Sequence, residues 1–265
     1  MKSVWIIFKK ELSGFFTSPL FFLMAFVATV LFSVTFSMGI QNFATLLSNG
    51  MYQMGANPQQ LNIHYAVFLQ HLSLVNLLFI FFTPALAMRL LAEEKKNRSF
   101  ELLMTSPITS WQIVFSKYLS LLSVLFAVEV LAFVYILCSA KMFEFELLPT
   151  ILTGIGIFMV GAAYASMSLF ASSLTDNTMA AFIIGIVFNL GLWIFGGLSE
   201  FTDNVVYKKV LEQVSVNQHL QLMIDGVFKT SSVVFFISVI FFFCFLAERV
   251  VESSRLRSTI RLEAK

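Results

Sequence analysis

Long apolar runs and short polar breaks alternate along this chain. No Asp, Glu, Lys or Arg occurs from Leu12 to Met88, whereas Ala92–Ser120, AEEKKNRSFELLMTSPITSWQIVFSKYLS, gathers acids and bases with a Ser-Pro break and a tryptophan. A spanning helix needs about 20 mostly apolar residues to cross roughly 30 Å of hydrocarbon. Six runs meet that need: Leu20–Ile40, Ile63–Met88, Tyr118–Leu137, Leu147–Ala171, Thr178–Leu198 and Ser232–Ala247. The second is expected to begin as an exposed helix before Leu72 and to kink near Pro84. The first is too long, and starts too far from Met1, for a cleaved signal, so it is expected to stay in the mature protein.

Ahead of the first span, Trp5, Phe8, Leu12 and Phe15 recur at three- and four-residue steps, with Lys2, Lys9 and Lys10 off that stripe. This predicts a helix over residues 1–18 lying in the membrane interface. Ser18 and Pro19 then suit the cap and first position of the next helix.

The charged stretch, residues 89–116, resolves into two helical pieces. Ser99 is placed to cap a short helix carrying Phe100, Leu102, Leu103 and Met104, with Glu101 in its first turn. Ser106-Pro107 ends it, since proline disfavours helix in the residue before it. Thr109-Ser110-Trp111-Gln112 matches a capping box opening the helix of the third span. An apolar helical face set on charged supports at the membrane surface fits a socket on a soluble partner.

Composition agrees with a bilayer as solvent: 58% of residues are hydrophobic, 12% are charged, and the mean hydropathy is +0.85. A net charge of +2 without a basic aromatic patch gives no sign of a nucleic-acid partner. With the N-terminus inside, only Lys141, Lys208, Lys209 and Lys229 of the 17 Lys and Arg fall outside. The positive-inside bias therefore places both termini and the charged stretch in the cytoplasm. Cys138 and Cys244 match no disulfide framework or metal spacing and are read as packing residues.

Within the spans, Glu129 follows Lys117 by about 18 Å along a helix, near mid-bilayer, where a carboxylate is costly. It is either a neutral or paired helix contact or a substrate ligand. Gly154, Gly156, Gly161, Ala162, Ala165 and Ser166 give the fourth span a small-residue face, and Gly185, Gly191, Gly196 and Gly197 do so for the fifth. Asn189 can hydrogen-bond across helices there. Outside the spans, Gln41–Asn62 reads as a polar, uncharged loop. Residues 199–230 carry a helical pattern in Val206, Val210 and Val214.

The run from Glu93 to Lys117 resembles the signature of permease subunits of type-2 ABC exporters. The residues that carry it are Glu94, Glu101, Leu102, Leu103, Thr105, Pro107, Trp111 and Lys117. The chain departs from the family at two places: Arg98-Ser99 stands where the family usually has Gly-Thr, and Ser116-Lys117 where it has Gly-Lys. The resemblance implies an all-α membrane fold: an interfacial helix, six transmembrane helices, a cytoplasmic coupling helix between spans 2 and 3, and an external helical segment between spans 5 and 6 that caps the route. The whole is expected to form one permease domain. Glu94, Arg98, Phe100, Glu101, Leu102, Leu103, Met104, Pro107 and Trp111 become the expected ATPase-coupling residues. The tail from His219 to Arg257 is similar to the branch that includes permeases of gliding-motility and nitrous-oxide-reductase-maturation systems, through His219, Gly226, Val227, Thr230 and Glu252-Ser253.

The chain contains no GxxxxGK[ST] phosphate loop, so ATP and Mg are expected on a separate ABC ATPase subunit, with no cofactor or metal bound by this chain. The resemblance further implies a second permease, identical or homologous, in a bacterial inner membrane. An extracytoplasmic accessory protein is a further candidate partner. Two other functions compete with this reading. A secondary transporter would show internal repeats, and the halves show none. Glu93-Glu94-Lys95-Lys96-Asn97-Arg98 also fits the EExxxR motif of intramembrane glutamic proteases, but His64, His71 and His219 lack the setting that chemistry needs. A haem or metal site at His64 and His71 is set aside for interfacial roles.

Overall fold

A computed structural model describes residues 2–48, 62–139, 147–197, 208, 211 and 213–263. Among these, every regular element is helical: α1 (Lys2–Phe16), α2 (Pro19–Ser48), a π-helical turn (His64–Phe68) leading into α3 (Leu69–Leu90), α4 (Ala92–Lys96), α5 (Ser99–Thr105), α6 (Ser110–Ser139), α7 (Leu147–Leu174), α8 (Thr178–Gly197), α9 (Val216–Ile224) and α10 (Thr230–Glu263). Six helical stretches are long and apolar enough to cross a membrane, at the places the hydrophobic runs predict. The protein is a multi-pass membrane protein.

Local chemistry sets several boundaries. Ser18 Oγ accepts from Leu20 N at 3.2 Å, and Pro19 opens α2. Thr109 N donates to Gln112 Oε1, and Gln112 N to Thr109 Oγ1, both at 3.3 Å, completing the capping box before α6. Asn177 Oδ1 accepts from Met179 N at 2.9 Å and caps α8. Ser215 caps α9, which ends before Gly226, where φ is +76°.

Four expectations change. Gln41 begins no loop, because α2 continues through Ser48 with no Gly or Pro after Gly39 to stop it. The last helix runs far past Ala247, since the charged residues that leave the membrane there include no Gly or Pro to stop it. The lead-in before Leu72, expected to be exposed, is buried at His64, Val67, Phe68 and His71, with His64 held between Thr150 and Ile224. In α1 the packed stripe runs through Ile7 and Phe15, with Trp5 on the exposed side, stacked on Phe8 at 5.2 Å. Of the external pattern, Val206 and Val210 lie outside the described residues and Val214 is exposed.

The core centres on α7, which packs against α3, α6, α8, α9 and α10. Its small residues allow that approach: a Cβ on Gly161 would meet Phe79 Cδ2 at 2.5 Å, and one on Gly156 would meet Leu220 Cδ1 at 2.9 Å. On α8, Gly185 faces Pro84 in the same manner, whereas Gly191 faces open space. The side-chain positions of Gly196 and Gly197 lie outside the described residues.

Candidate functional site

The charged segment is fixed by an ion cluster. Lys117, near the start of α6, is fully buried. Its Nζ lies 2.9 Å from Glu11 Oε1 on α1 and 2.8 Å from Glu94 Oε2 on α4, and donates to the Leu90 carbonyl at 2.7 Å. Lys10 Nζ closes the ring, 3.1 Å from Glu94 Oε1 and 3.4 Å from Glu11 Oε1. Two acids and two bases balance, with Lys117 buried and Lys10 reaching the acids from the exposed side. A shallow cleft lined by Lys10, Glu11, Arg89, Glu93 and Glu94 opens beside them.

Burial alone would raise the Glu11 pKa, but Lys117 and Lys10 outweigh it and hold the carboxyl below its ordinary value. Burial likewise would lower Lys10, and Glu11 and Glu94 outweigh it to hold the ammonium above its ordinary value. Both pairings favour the charged forms.

Further bonds tie the segment to its surroundings. Arg89 Nε pairs with Glu93 Oε2 at 3.2 Å, one turn on, and its Nη1 donates to Ser18 Oγ. Ala92 N donates to Ser172 Oγ at 3.0 Å, and Lys95 Nζ donates to the Ser173 carbonyl at the end of α7. The two acids of the EExxxR match thus turn to different cations, Glu93 to Arg89 and Glu94 to Lys117 and Lys10, which is a structural arrangement and not a shared base.

Arg98 precedes α5 with φ +58°, the left-handed region that glycine adopts freely. This gives a physical meaning to the glycine usual at this place in the resembled family. Ser99 therefore starts α5 and does not cap it; its Oγ donates back to the Glu94 carbonyl at 3.3 Å.

Phe100 corrects the expectation of an exposed apolar face. Its ring is buried, with Lys95 Nζ 5.4 Å from the centroid, so it anchors α5 to the protein's own body. Leu103 is half-buried, and the side chains of Leu102 and Met104 lie outside the described residues. Among the described residues, α5 and its flanks expose Arg98, Ser99, Glu101, Pro107 and Thr109, with Trp111 partly exposed and its edge toward Phe241 at 6.2 Å.

The intramembrane candidates divide. Proline at 84 has no N–H to give the carbonyl four residues back, that of Ile80. Asn189 Nδ2, from α8, donates to Ile80 O at 3.2 Å and to Thr83 Oγ1 at 2.8 Å. Ser168 Oγ of α7 lies 3.2 Å from both Asn189 Nδ2 and Thr83 Oγ1. Asn189 therefore satisfies a backbone acceptor that a proline has orphaned, and holds three helices together. Glu129 is buried on α6, and among the described residues neither carboxyl oxygen has a hydrogen-bond partner. On α3, His71 Nε2 donates to the Ala132 carbonyl at 3.1 Å. His64 instead bridges Thr150 Oγ1 and the Ile224 carbonyl, both at 3.2 Å. No group of three or more His, Cys, Asp or Glu among the described residues could hold a metal ion.

Glu11 and Lys10 were not legible as cluster members. The available signal was that Glu11 is the sole acid before Glu93, an isolated charge that asks for a partner.

The model of the ABC-2 family transporter protein matches residues 55–215, more than half of the chain and inclusive of the whole charged segment. The chain belongs to the ABC-2 transporter family. No curated protein matches it. Membership makes this ABC-2 chain a membrane permease of a transporter, not itself the catalytic subunit.

Proposed function

We propose that this ABC-2 permease couples ATP hydrolysis by a separate ABC ATPase to export, or to force transmission through the membrane, with α4 and α5 as the coupling element. The observation that carries this reading is the buried Lys117 joined to Glu11 and Glu94, because it locks the segment to both α1 and the base of α6. A push on α4 and α5 cannot be absorbed locally; it moves the interfacial helix and the third span with it. Arg98 and Glu101 offer the ATPase charge-bearing contacts, and Phe100 keeps the short helix rigid from beneath.

The same reading places both termini on the cytoplasmic side of a bacterial inner membrane, pairs the chain with a second identical or homologous permease, and puts ATP and Mg on the ATPase. The tail's likeness to gliding-motility and nitrous-oxide-maturation permeases favours that branch, and residues 199–230 are the candidate docking surface for an extracytoplasmic accessory partner. The test is purification of the protein from its native membrane. An ATPase should co-purify, and its permease-stimulated turnover should fall in Glu101→Arg while basal hydrolysis of the ATPase alone is kept. A wild-type protein that never associates with an ATPase would sink the reading.

A further inference from the structure

The last helix touches the charged segment directly. Ser110 Oγ, at the start of α6, donates to Glu252 Oε2 of α10, and Arg255 Nη1 donates to the Ile108 carbonyl at 3.0 Å. These bonds give Glu252 a partner that its position in the long polar tail did not suggest.

At the other end, α10 is joined to α9. His219 Nε2 donates to the Gln213 carbonyl at 3.0 Å, and its Nδ1 lies 3.0 Å from Ser232 Oγ. The His219 ring also stacks on Phe235 with centroids 4.5 Å apart. Ser232 and Glu252 are separated by about 30 Å along a helix rising 1.5 Å per residue, the thickness of the hydrocarbon layer. No Gly or Pro interrupts α10, so nothing in it invites a kink. Between its ends it packs through aromatic rings, Phe243 against Phe170 and Phe188. Such contacts allow small sliding, whereas the polar bonds fix position.

We propose that α10 is a strut that carries displacement of the charged segment to α9 on the opposite side of the membrane, with Glu252 and Ser110 as positioning residues at one end and His219 and Ser232 at the other. What drives the displacement rests on the ATP-coupled reading; the mechanical link does not.

Hydrogen exchange of the full chain in lipid nanodiscs tests it. Ser110→Ala and Glu252→Ala should each speed exchange in the α9 amides by about threefold or more, through loss of a shared cooperative unit. The two together should add little to either alone. By reciprocity, His219→Ala should speed exchange in the first turns of α6. The amides of α3 around Val75 serve as the control and should not change. A rise confined to α6 and the end of α10 would make Glu252 a local cap and overturn the strut. A rise spread equally into α3 would overturn it too, because the variants would then loosen the whole bundle. In the complex with its co-purified ATPase, ATP should alter α9 exchange in the wild type and fail to do so in Glu252→Ala while the ATPase stays bound. If no ATPase binds the wild type, the coupling function fails and the nanodisc result still decides the strut.

Discussion

Lys117 Nζ stands 2.8 Å from Glu94 Oε2 inside the protein, so a charge on the third span and a charge on the segment before it neutralise each other away from water. Breaking a buried pair by removing one partner typically costs about 3–5 kcal/mol, because the other charge is left uncompensated. Lys117→Met should therefore lower the thermal midpoint of the detergent-solubilised protein sharply. Adding Glu11→Gln and Glu94→Gln to it should restore much of the loss. A triple variant no better than Lys117→Met would show that the acids are not its partners.

The same cluster sets a pH dependence. Glu11 is held below its ordinary 4.5, so its contribution is present above that value and is lost as pH falls through the depressed one. Lys10 is held above its ordinary 10.5, so its contribution is present below 10.5 and is lost as pH rises through the raised value. The stability gap between wild type and Glu11→Gln should thus be flat near neutral pH and close on the acid side. Melting curves collected from roughly pH 7 downward, through the depressed carboxylate range, check this; a gap that stays constant throughout would rule out the pairing.

Arg98 occupies a left-handed conformation that costs an L-residue about 1–2 kcal/mol and glycine nothing. Arg98→Gly should melt higher than Arg98→Ala by the equivalent of about 1 kcal/mol, since both remove the guanidinium and only one relieves the backbone. Equal midpoints would mean that the turn is not held left-handed in solution. If the guanidinium also serves docking, both variants lose ATPase stimulation equally.

Phe100 and Glu101 are neighbours with opposite fates, one buried and one exposed. Phe100→Ala removes a buried aromatic anchor and should cost about 3 kcal/mol of stability, with coupling impaired as a consequence. Glu101→Arg should leave the thermal midpoint within about 0.5 kcal/mol and change only ATPase association. The outcome that defeats this division is a stable Phe100→Ala protein that fails to dock.

Much of this architecture was legible because each span is long and apolar beyond ambiguity, and because caps such as Thr109 with Gln112 act within four residues. Helix lengths beyond the membrane were not, since the residues after Ala247 change solvent without changing conformation. The direction of Phe100 was hidden for a related reason: an apolar residue on a short surface helix suits an outside socket and an inside one equally, and only Lys95 above it decides. The cluster at Lys117 depends on contacts between α1, α4 and α6, and no periodicity reports a contact between distant elements. The contact of Glu252 was hidden because its partner Ser110 lies on another helix.

Asn189 offers the sharpest separation of structure from transport. Read from the sequence as able to hydrogen-bond across helices, it does so: its amide donates to the carbonyl of Ile80, whose helical partner Pro84 removes. An unsatisfied buried acceptor costs about 1–3 kcal/mol, so Asn189→Leu should destabilise the protein by that amount. Pro84→Ala supplies the missing N–H within α3 and should recover most of the loss in the double variant, since the carbonyl then needs no help from α8. The rescue is specific: a substrate or proton role for Asn189 predicts that Pro84→Ala leaves the defect untouched. Thermal midpoints of the four proteins in the cycle, wild type included, give the coupling between the sites. A coupling near zero would mean that Asn189 does not serve the carbonyl that Pro84 orphans.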